Sequence, residues 1–280
     1  MNLSKIKTLR ELTGLGMLEV KKALEEANDD MEEATRILMT KTIKKEQTRR
    51  VASKGLTSVE THGNEAILFE INAETDFVAK HPDFINMMLD LGNVLMHSKV
   101  FSVKQALNAP YQSYTVQDEI NRIGNLVKEN VYLRRFHRIL KQDNQSFATY
   151  KHLGGKLSVL VIYQGDEKIG KELALHITSH GPKYLSFDDL DKETYNFEEM
   201  MLLKENPSFT KLEIEEKIKA MCLYDQPFIK NPDQRVKEIL NQSKVVDFYR
   251  FELGQGIENK LNCRLDIPCD GSKITVTPSL

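Results

Sequence analysis

The sequence is poor in cysteine and has no long apolar run. Its three cysteines, Cys222, Cys263 and Cys269, form no Cys-x-x-Cys pair, which favours a reducing compartment over a disulfide framework. No apolar run approaches the ~20 residues of a membrane-spanning helix. The first residues also lack the apolar core of a signal peptide and the arginines of a transit segment. These absences predict a cytoplasmic protein with no membrane partner.

A strong charge of either sign is also missing. Lysine and arginine total 39 against 41 acidic residues, so the net charge is −2. Such a surface has no general attraction for phosphate backbones, and we expect no direct contact with nucleic acid. The basic stretch 41–54 contains no aromatic residue for base stacking and is typical of a linker. With 40% hydrophobic and 29% charged residues, the chain has the composition of a globular protein.

Motifs for nucleotide binding and hydrolysis are absent as well. The stretch 154–156 (Gly-Gly-Lys) lacks the spacing and the following Ser or Thr of a phosphate loop, and Asn259-Lys260 is not part of an Asn-Lys-x-Asp element. Neither HExxH nor GxSxG occurs. His176 and His180 lie one helical turn apart and could share a metal ion, so an unrecognised metal enzyme is an alternative. No third ligand of obvious spacing accompanies them. We therefore expect no covalent chemistry, no metal and no cofactor.

Apolar periodicity predicts an α+β fold. Three short helices are indicated within residues 1–38, and strands at 56–61 and 65–73 flank a turn. A strand followed by a helix recurs near residue 147, which predicts an antiparallel core of two subdomains rather than a doubly wound sheet. Charged helical periodicity over 190–222 predicts an inserted helical hairpin. A further helix is predicted near 232–241.

The chain is organised around the stretch 72–84, which joins a strand to a helix. Ile67, Phe69 and Ile71 alternate with Leu68, Glu70 and Asn72, which is the period of a strand with one buried face. Pro82 suits the first turn of the helix that follows. In one interpretation, Thr75 or Asp76 caps a helical turn and Phe77 packs beneath it as core. In the other, Asp76 and Phe77 project into a binding partner.

The segment Thr75-Asp76-Phe77-Val78-Ala79-Lys80 resembles the signature of the elongation factor Ts family, the guanine nucleotide exchange factors for elongation factor Tu. Residues 9–24 are similar to the opening of that family. Three further segments match the family pattern in order along the chain, at 150–156, 225–229 and 250–258. The sequence departs from the pattern at Lys128, where the family commonly has glycine, and at Gln255, which replaces glutamate.

The resemblance implies that this protein promotes GDP release from elongation factor Tu. Phe77 would wedge into a groove beside the partner's switch region, and Asp76 would disturb the residues and waters that order Mg²⁺. Thr75 and Val78 would set the angle of the loop. GTP could then enter the emptied site, so the partner is expected in both its GDP-bound and nucleotide-free states.

The resemblance implies further contacts with elongation factor Tu. Arg10, Met17 and Leu18 would touch the partner's GTPase domain, whereas periodicity alone favours Met17 and Leu18 as core residues. Val127 and His152 would lie at the same interface as the loop. The alternative is an adaptor without exchange activity, whose helical module binds ubiquitin-like proteins.

Taken together, these patterns predict seven segments. They are a docking module similar to a ubiquitin-associated domain (1–40), a basic linker (41–54), the N-terminal core subdomain (55–141), the first part of the C-terminal core subdomain (142–189), a helical hairpin (190–224), the return to the C-terminal subdomain (225–258) and a tail (259–280). The hairpin is shorter than is usual in the family, and the tail lacks the usual amphipathic helix.

Overall fold

The computed structural model describes residues 3–13, 15–40 and 52–257. The predicted tail at 259–280 lies outside the described residues, as does most of the predicted linker at 41–54. Within the described ranges, no helix combines the length and apolarity needed to cross a bilayer.

Three short helices form the N-terminal module, as predicted: α1 (Leu3–Thr13), α2 (Met17–Glu26) and α3 (Met31–Thr40). The helices enclose a small apolar core that includes Ile6, Leu9, Val20, Leu24 and Leu38. Asp30 accepts the Glu33 N–H at 2.9 Å and so satisfies a donor in the first turn of α3.

The described chain divides into two compact units, each of mixed helices and strands. The first comprises the described residues within Met1–Leu140, Leu153–Leu157 and Phe251–Leu280, and the second comprises Lys141–His152 and Ser158–Arg250. Beyond the module, the first unit contains β1 (Lys54–His62), β2 (Glu65–Ala73), α4 (Pro82–His97), α5 (Val103–Leu107), β3 (Pro110–Tyr111), β4 (Tyr114–Thr115), α6 (Val116–Val127) and β5 (Tyr132–Leu140). This mixture agrees with the predicted α+β class.

The central strand of the first unit is β2. It pairs antiparallel with β1 on one side and β5 on the other, so that Phe69 lies opposite both Ser58 and Phe136. Every residue of β2 after Glu65 is buried. The expectation of one buried face is therefore wrong, because both faces of this strand are covered.

A network of buried charges around Glu70 allows the second face of β2 to be covered. Glu70 is fully buried, and Arg134 donates to both of its carboxylate oxygens at 3.0 Å. Arg135 donates to Glu70 at 2.6 Å, and the Gly254 N–H donates to it at 3.0 Å. Arg135 also donates to the Glu252 carbonyl at 2.8 Å. These charged and backbone donors satisfy the hydrogen-bonding capacity of the carboxylate inside the sheet.

Helix α4 is held at both ends. Pro82 is its first residue, as predicted, and the His81 ring accepts the Asp83 N–H at 3.3 Å. At the other end, the Arg138 guanidinium donates to the Met96 carbonyl at 3.1 Å and to the Val100 carbonyl at 2.9 Å. These bonds satisfy carbonyl groups at and just beyond the helix end, where intrahelical donors are lacking. The helix is therefore a firm support for the segment that precedes it.

The remaining elements are β6 (Ser146–His152), β7 (Leu157–Gln164), α7 (Glu167–His180), α8 (Lys192–Glu205), α9 (Lys211–Ala220), β8 (Pro227–Phe228), β9 (Asn231–Arg235), α10 (Val236–Ile239) and β10 (Lys244–Glu252). Strand β7 lies between β10 and β6 and is buried from Leu157 to Tyr163, as expected of a strand covered on both faces. Helices α8 and α9 pack through Leu202, Ile214 and Ile218, which confirms the predicted hairpin.

One helix prediction needs correction. The helix predicted near 232–241 is wrong, because this stretch begins in the exposed strand β9 and is helical only in α10. An exposed strand tolerates Pro232, whose missing N–H would disrupt a central strand. Helices α6 and α7 begin at Val116 and Glu167, where the side chains of Thr115 and Asp166 cap them.

Candidate functional site

The loop at residues 74–81 connects β2 to α4 and presents a large aromatic side chain to solvent. Val78 begins a 3₁₀ turn (Val78–Lys80) and is buried in the core of the first unit. The preceding residue, Phe77, has a side chain that is 80% exposed. The interpretation of Phe77 as core is therefore wrong, because the turn directs its neighbour Val78 inward instead.

The capping interpretation is also wrong. The Thr75 hydroxyl is directed toward Glu129, and Asp76 faces Lys80 with 3.5 Å between its Oδ2 and the lysine Nζ. Both members of this ion pair are largely exposed, and such pairs contribute at most about 1 kcal/mol. Asp76 can therefore exchange Lys80 for a group on another molecule at little cost.

The base of the loop is fastened to the segment after α6. Glu129 accepts the Thr75 N–H at 2.9 Å and the Thr75 hydroxyl at 2.6 Å. In the opposite direction, Glu74 accepts the Asn130 N–H at 3.1 Å. We call these four residues, Glu74, Thr75, Glu129 and Asn130, the loop clasp. Because an ionised acceptor makes short, strong hydrogen bonds, the clasp fixes the backbone just before Asp76.

The end of α6 brings Glu129 to this position. Lys128 adopts a left-handed conformation with φ 59°, and the Glu129 N–H donates to the Gly124 carbonyl at 3.1 Å. These features turn the chain back immediately after the helix. A side chain at Gly124 would place its Cβ 3.0 Å from the Glu129 carbonyl oxygen, so glycine permits the close approach. Lys128 adopts its left-handed conformation at a strain cost that glycine would avoid.

Two apolar residues of the module face outward. Met17 and Leu18 begin α2 with side chains that are 48% and 75% exposed. The interpretation of these residues as core is wrong, because Val20 and Leu24 form the buried face of α2 instead. Arg10, near the end of α1, is also exposed.

The other two predicted interface residues have different surroundings. Val127, the last residue of α6, is half-buried and packs against the core of the first unit. His152, the last residue of β6, is exposed, and its ring stacks with Tyr150 at a centroid distance of 6.1 Å.

The histidine pair suspected of metal binding has a structural explanation. The ring of His176 is fully buried and stacks on His180 at 4.3 Å. Its Nε2 lies 2.9 Å from the Gln226 amide oxygen, and its Nδ1 accepts the Ile229 N–H at 3.2 Å. Both ring nitrogens are therefore occupied when the imidazole is neutral. Among the described residues, no group of three or more His, Cys, Asp or Glu is arranged to hold a metal ion.

This arrangement predicts a loss of stability in mild acid. Burial lowers the pKa of His176 to about 4, against about 6.5 in an unfolded chain. The unfolded state thus binds the proton first, so the histidine's contribution is complete above pH 6.5 and is lost as the pH falls toward 4. The loss should reach about 3 kcal/mol of unfolding free energy. Denaturant unfolding followed by circular dichroism from pH 7 to 4 measures it.

The matched variants are His176→Gln, which removes the titrating group, and His62→Gln, which changes an exposed histidine. The pH slope of the unfolding free energy should flatten only in the first. Equal slopes in the parent and His176→Gln would show that other groups cause the acid sensitivity.

Comparison with known proteins identifies the family of the chain. The model of the family described as elongation factor TS matches residues 74–255. The elongation factor Ts of Acholeplasma laidlawii (strain PG-8A) is 38% identical over 277 residues, covering 92% of this chain and 94% of that protein. The chain belongs to the elongation factor Ts family. It is therefore a translation elongation factor, with a role in protein biosynthesis through nucleotide exchange.

The region matched by the elongation factor Ts model begins at Glu74, the first residue of the exposed loop, and ends beyond Gly254. It thus contains Phe77, the loop clasp and Gly254, whose N–H donates to Glu70. The family resemblance predicts the exposed loop itself. Glu129 lies 54 residues after Thr75, and the sequence offered no spacing signal that would pair them.

Proposed function

We propose that this protein binds elongation factor Tu in its GDP-bound and nucleotide-free states and promotes release of GDP, after which GTP binds. The observation that carries the proposal is the 80% exposure of Phe77 on a loop anchored at both sides. An exposed phenylalanine side chain gains free energy when another protein covers it. Its position beside the exposed Asp76 supplies an apolar wedge and a carboxylate together.

The mechanism requires no covalent step. A GTPase holds GDP through backbone N–H groups and a Mg²⁺ ion that bridges phosphate and protein. In our proposal, Phe77 enters a groove beside the switch region, and Asp76 disturbs the groups that order Mg²⁺. Thr75 and Val78 hold the loop at the required angle. Because linkage is reciprocal, GDP must weaken binding of this protein by the factor by which this protein weakens binding of GDP.

The remaining contacts serve docking. We propose that the module of residues 1–40 presents Arg10, Met17 and Leu18 to the GTPase domain, where the two apolar side chains lose their exposure to water. Val127 and His152 contribute further contacts from the core. This division assigns affinity to the module and the release step to the loop.

The direct test is release of a fluorescent GDP analogue from elongation factor Tu, followed by stopped flow at increasing concentrations of this protein. The release rate should rise with concentration and saturate, and the protein alone should bind no GDP in calorimetry. Binding to elongation factor Tu without faster release would instead favour the adaptor function. If no binding occurs either, the proposal fails.

A further inference from the structure

An exposed side chain cannot set its own direction by packing, so the direction of Phe77 depends on the backbone that carries it. On its C-terminal side, that backbone is held by the buried side chain of Val78. On its N-terminal side, the nearest fastening is Thr75, whose N–H and hydroxyl both donate to Glu129. Two anchors of different chemistry therefore flank the pair Asp76 and Phe77.

We propose that Glu129 is a positioning residue, which holds Thr75 and thereby orients Asp76 and Phe77 for nucleotide release. This inference rests on the proposed function, since it explains how the releasing loop is presented. Glu129 acts through Thr75 and need not touch the partner. The reciprocal bond from the Asn130 N–H to Glu74 fastens the same two segments a second time.

The geometry of Glu129 suits this role better than a general structural one. Its side chain is half-buried two residues after the end of α6 and lies outside the apolar cluster of the first unit. Its two carboxylate oxygens accept two donors from a single residue, so one side chain controls both the backbone and the side chain of Thr75. Removing it should loosen the loop while leaving the core of the unit intact.

The absence of tryptophan from the chain permits a direct measurement. Phe77→Trp places a single indole at the loop, and time-resolved fluorescence anisotropy reports its motion on the nanosecond scale. Adding Glu129→Ala should raise the amplitude of the fast decay. Adding Glu129→Gln should keep it near the parent value, because the amide can accept the Thr75 N–H and donate to the Thr75 hydroxyl. Glu167→Ala, at an exposed ion pair elsewhere, is the matched control.

The second measurement retains Phe77 and follows GDP release from elongation factor Tu. At saturating protein, Glu129→Ala should slow release about tenfold, the effect of losing one or two charge-assisted hydrogen bonds, and Glu129→Gln should restore most of the rate. The melting temperature should fall by only a few degrees.

The outcomes separate this inference from the proposed function. If Glu129→Ala leaves the anisotropy of the introduced indole unchanged, Glu129 does not position the loop, whatever the exchange assay gives. If Glu129→Gln behaves like Glu129→Ala in both measurements, hydrogen-bond geometry is not what matters and the inference is overturned. If the parent protein fails to accelerate GDP release, the proposed function fails, while the anisotropy still decides whether the clasp orders the loop.

Discussion

Replacing Phe77 by alanine should slow GDP release from elongation factor Tu by about one to two decades without lowering the melting temperature appreciably. Burying a phenylalanine side chain at an interface is worth roughly 1.5–3 kcal/mol, and each 1.4 kcal/mol corresponds to about a factor of ten in rate. The folded protein gains little from this side chain, because it is 80% exposed. Stopped-flow release and thermal melting on the same preparation measure the two effects.

Two other phenylalanines provide matched controls. Phe101 is 60% exposed outside the loop, so Phe101→Ala should leave both GDP release and the melting temperature close to the parent values. Phe84 is fully buried in α4, and Phe84→Ala should cost about 3–5 kcal/mol of unfolding free energy.

Asp76→Ala should also slow release, and its effect should not add to that of Phe77→Ala, because neighbouring residues act on one groove.

A Phe77→Ala protein that releases GDP at the parent rate would remove the wedge from the mechanism. One that melts as early as Phe84→Ala would show that the side chain is packed in solution. Measuring release at saturating protein makes the first comparison independent of how tightly the two proteins bind.

Replacing Glu70 by glutamine should destabilise the first unit by about 3–5 kcal/mol, the usual cost of breaking a buried ion pair from one side. The substitution keeps the shape of the side chain and removes its charge. Arg134 and Arg135 would then remain almost fully buried beside a neutral amide that offers one acceptor oxygen. Urea unfolding followed by circular dichroism gives the change in free energy.

The matched control for this prediction is Glu167→Gln, which removes the charge from an exposed pair with Lys171. Its effect should be much smaller than that of Glu70→Gln, because solvent screens an exposed pair. A similarly small effect of Glu70→Gln would mean that the two arginines find water or other acceptors when the carboxylate is lost.

Those parts of the fold that depend on local periodicity were predictable. In α4, the helical spacing of apolar residues such as Phe84 and Leu91 indicates which side chains are buried. In β7, the continuous apolar run indicates a strand that is buried on both faces. The helix end at Gly181 was also predictable from the local sequence, because glycine readily adopts the left-handed conformation that ends a helix.

Features that depend on distant pairing were not predictable. The burial of Glu70 follows from Arg134 and Arg135, which lie 64 and 65 residues further along the chain. The loop clasp joins Thr75 to Glu129 across a similar distance. At Phe77, the local sequence allowed both a buried and an exposed side chain. The side chain is exposed because the neighbouring Val78 packs into the core instead.

The Glu70 network also bears on how the chain is made. The hydrogen bond from Gly254 to Glu70 joins residues 184 positions apart, so the ribosome must synthesise most of the chain before this carboxylate acquires its last donor. Since domains generally fold as units during synthesis, N-terminal parts first, we expect strands β1, β2 and β5 to pair before Gly254 is available. Until then, the nascent first unit carries an incomplete charge network at the centre of its sheet.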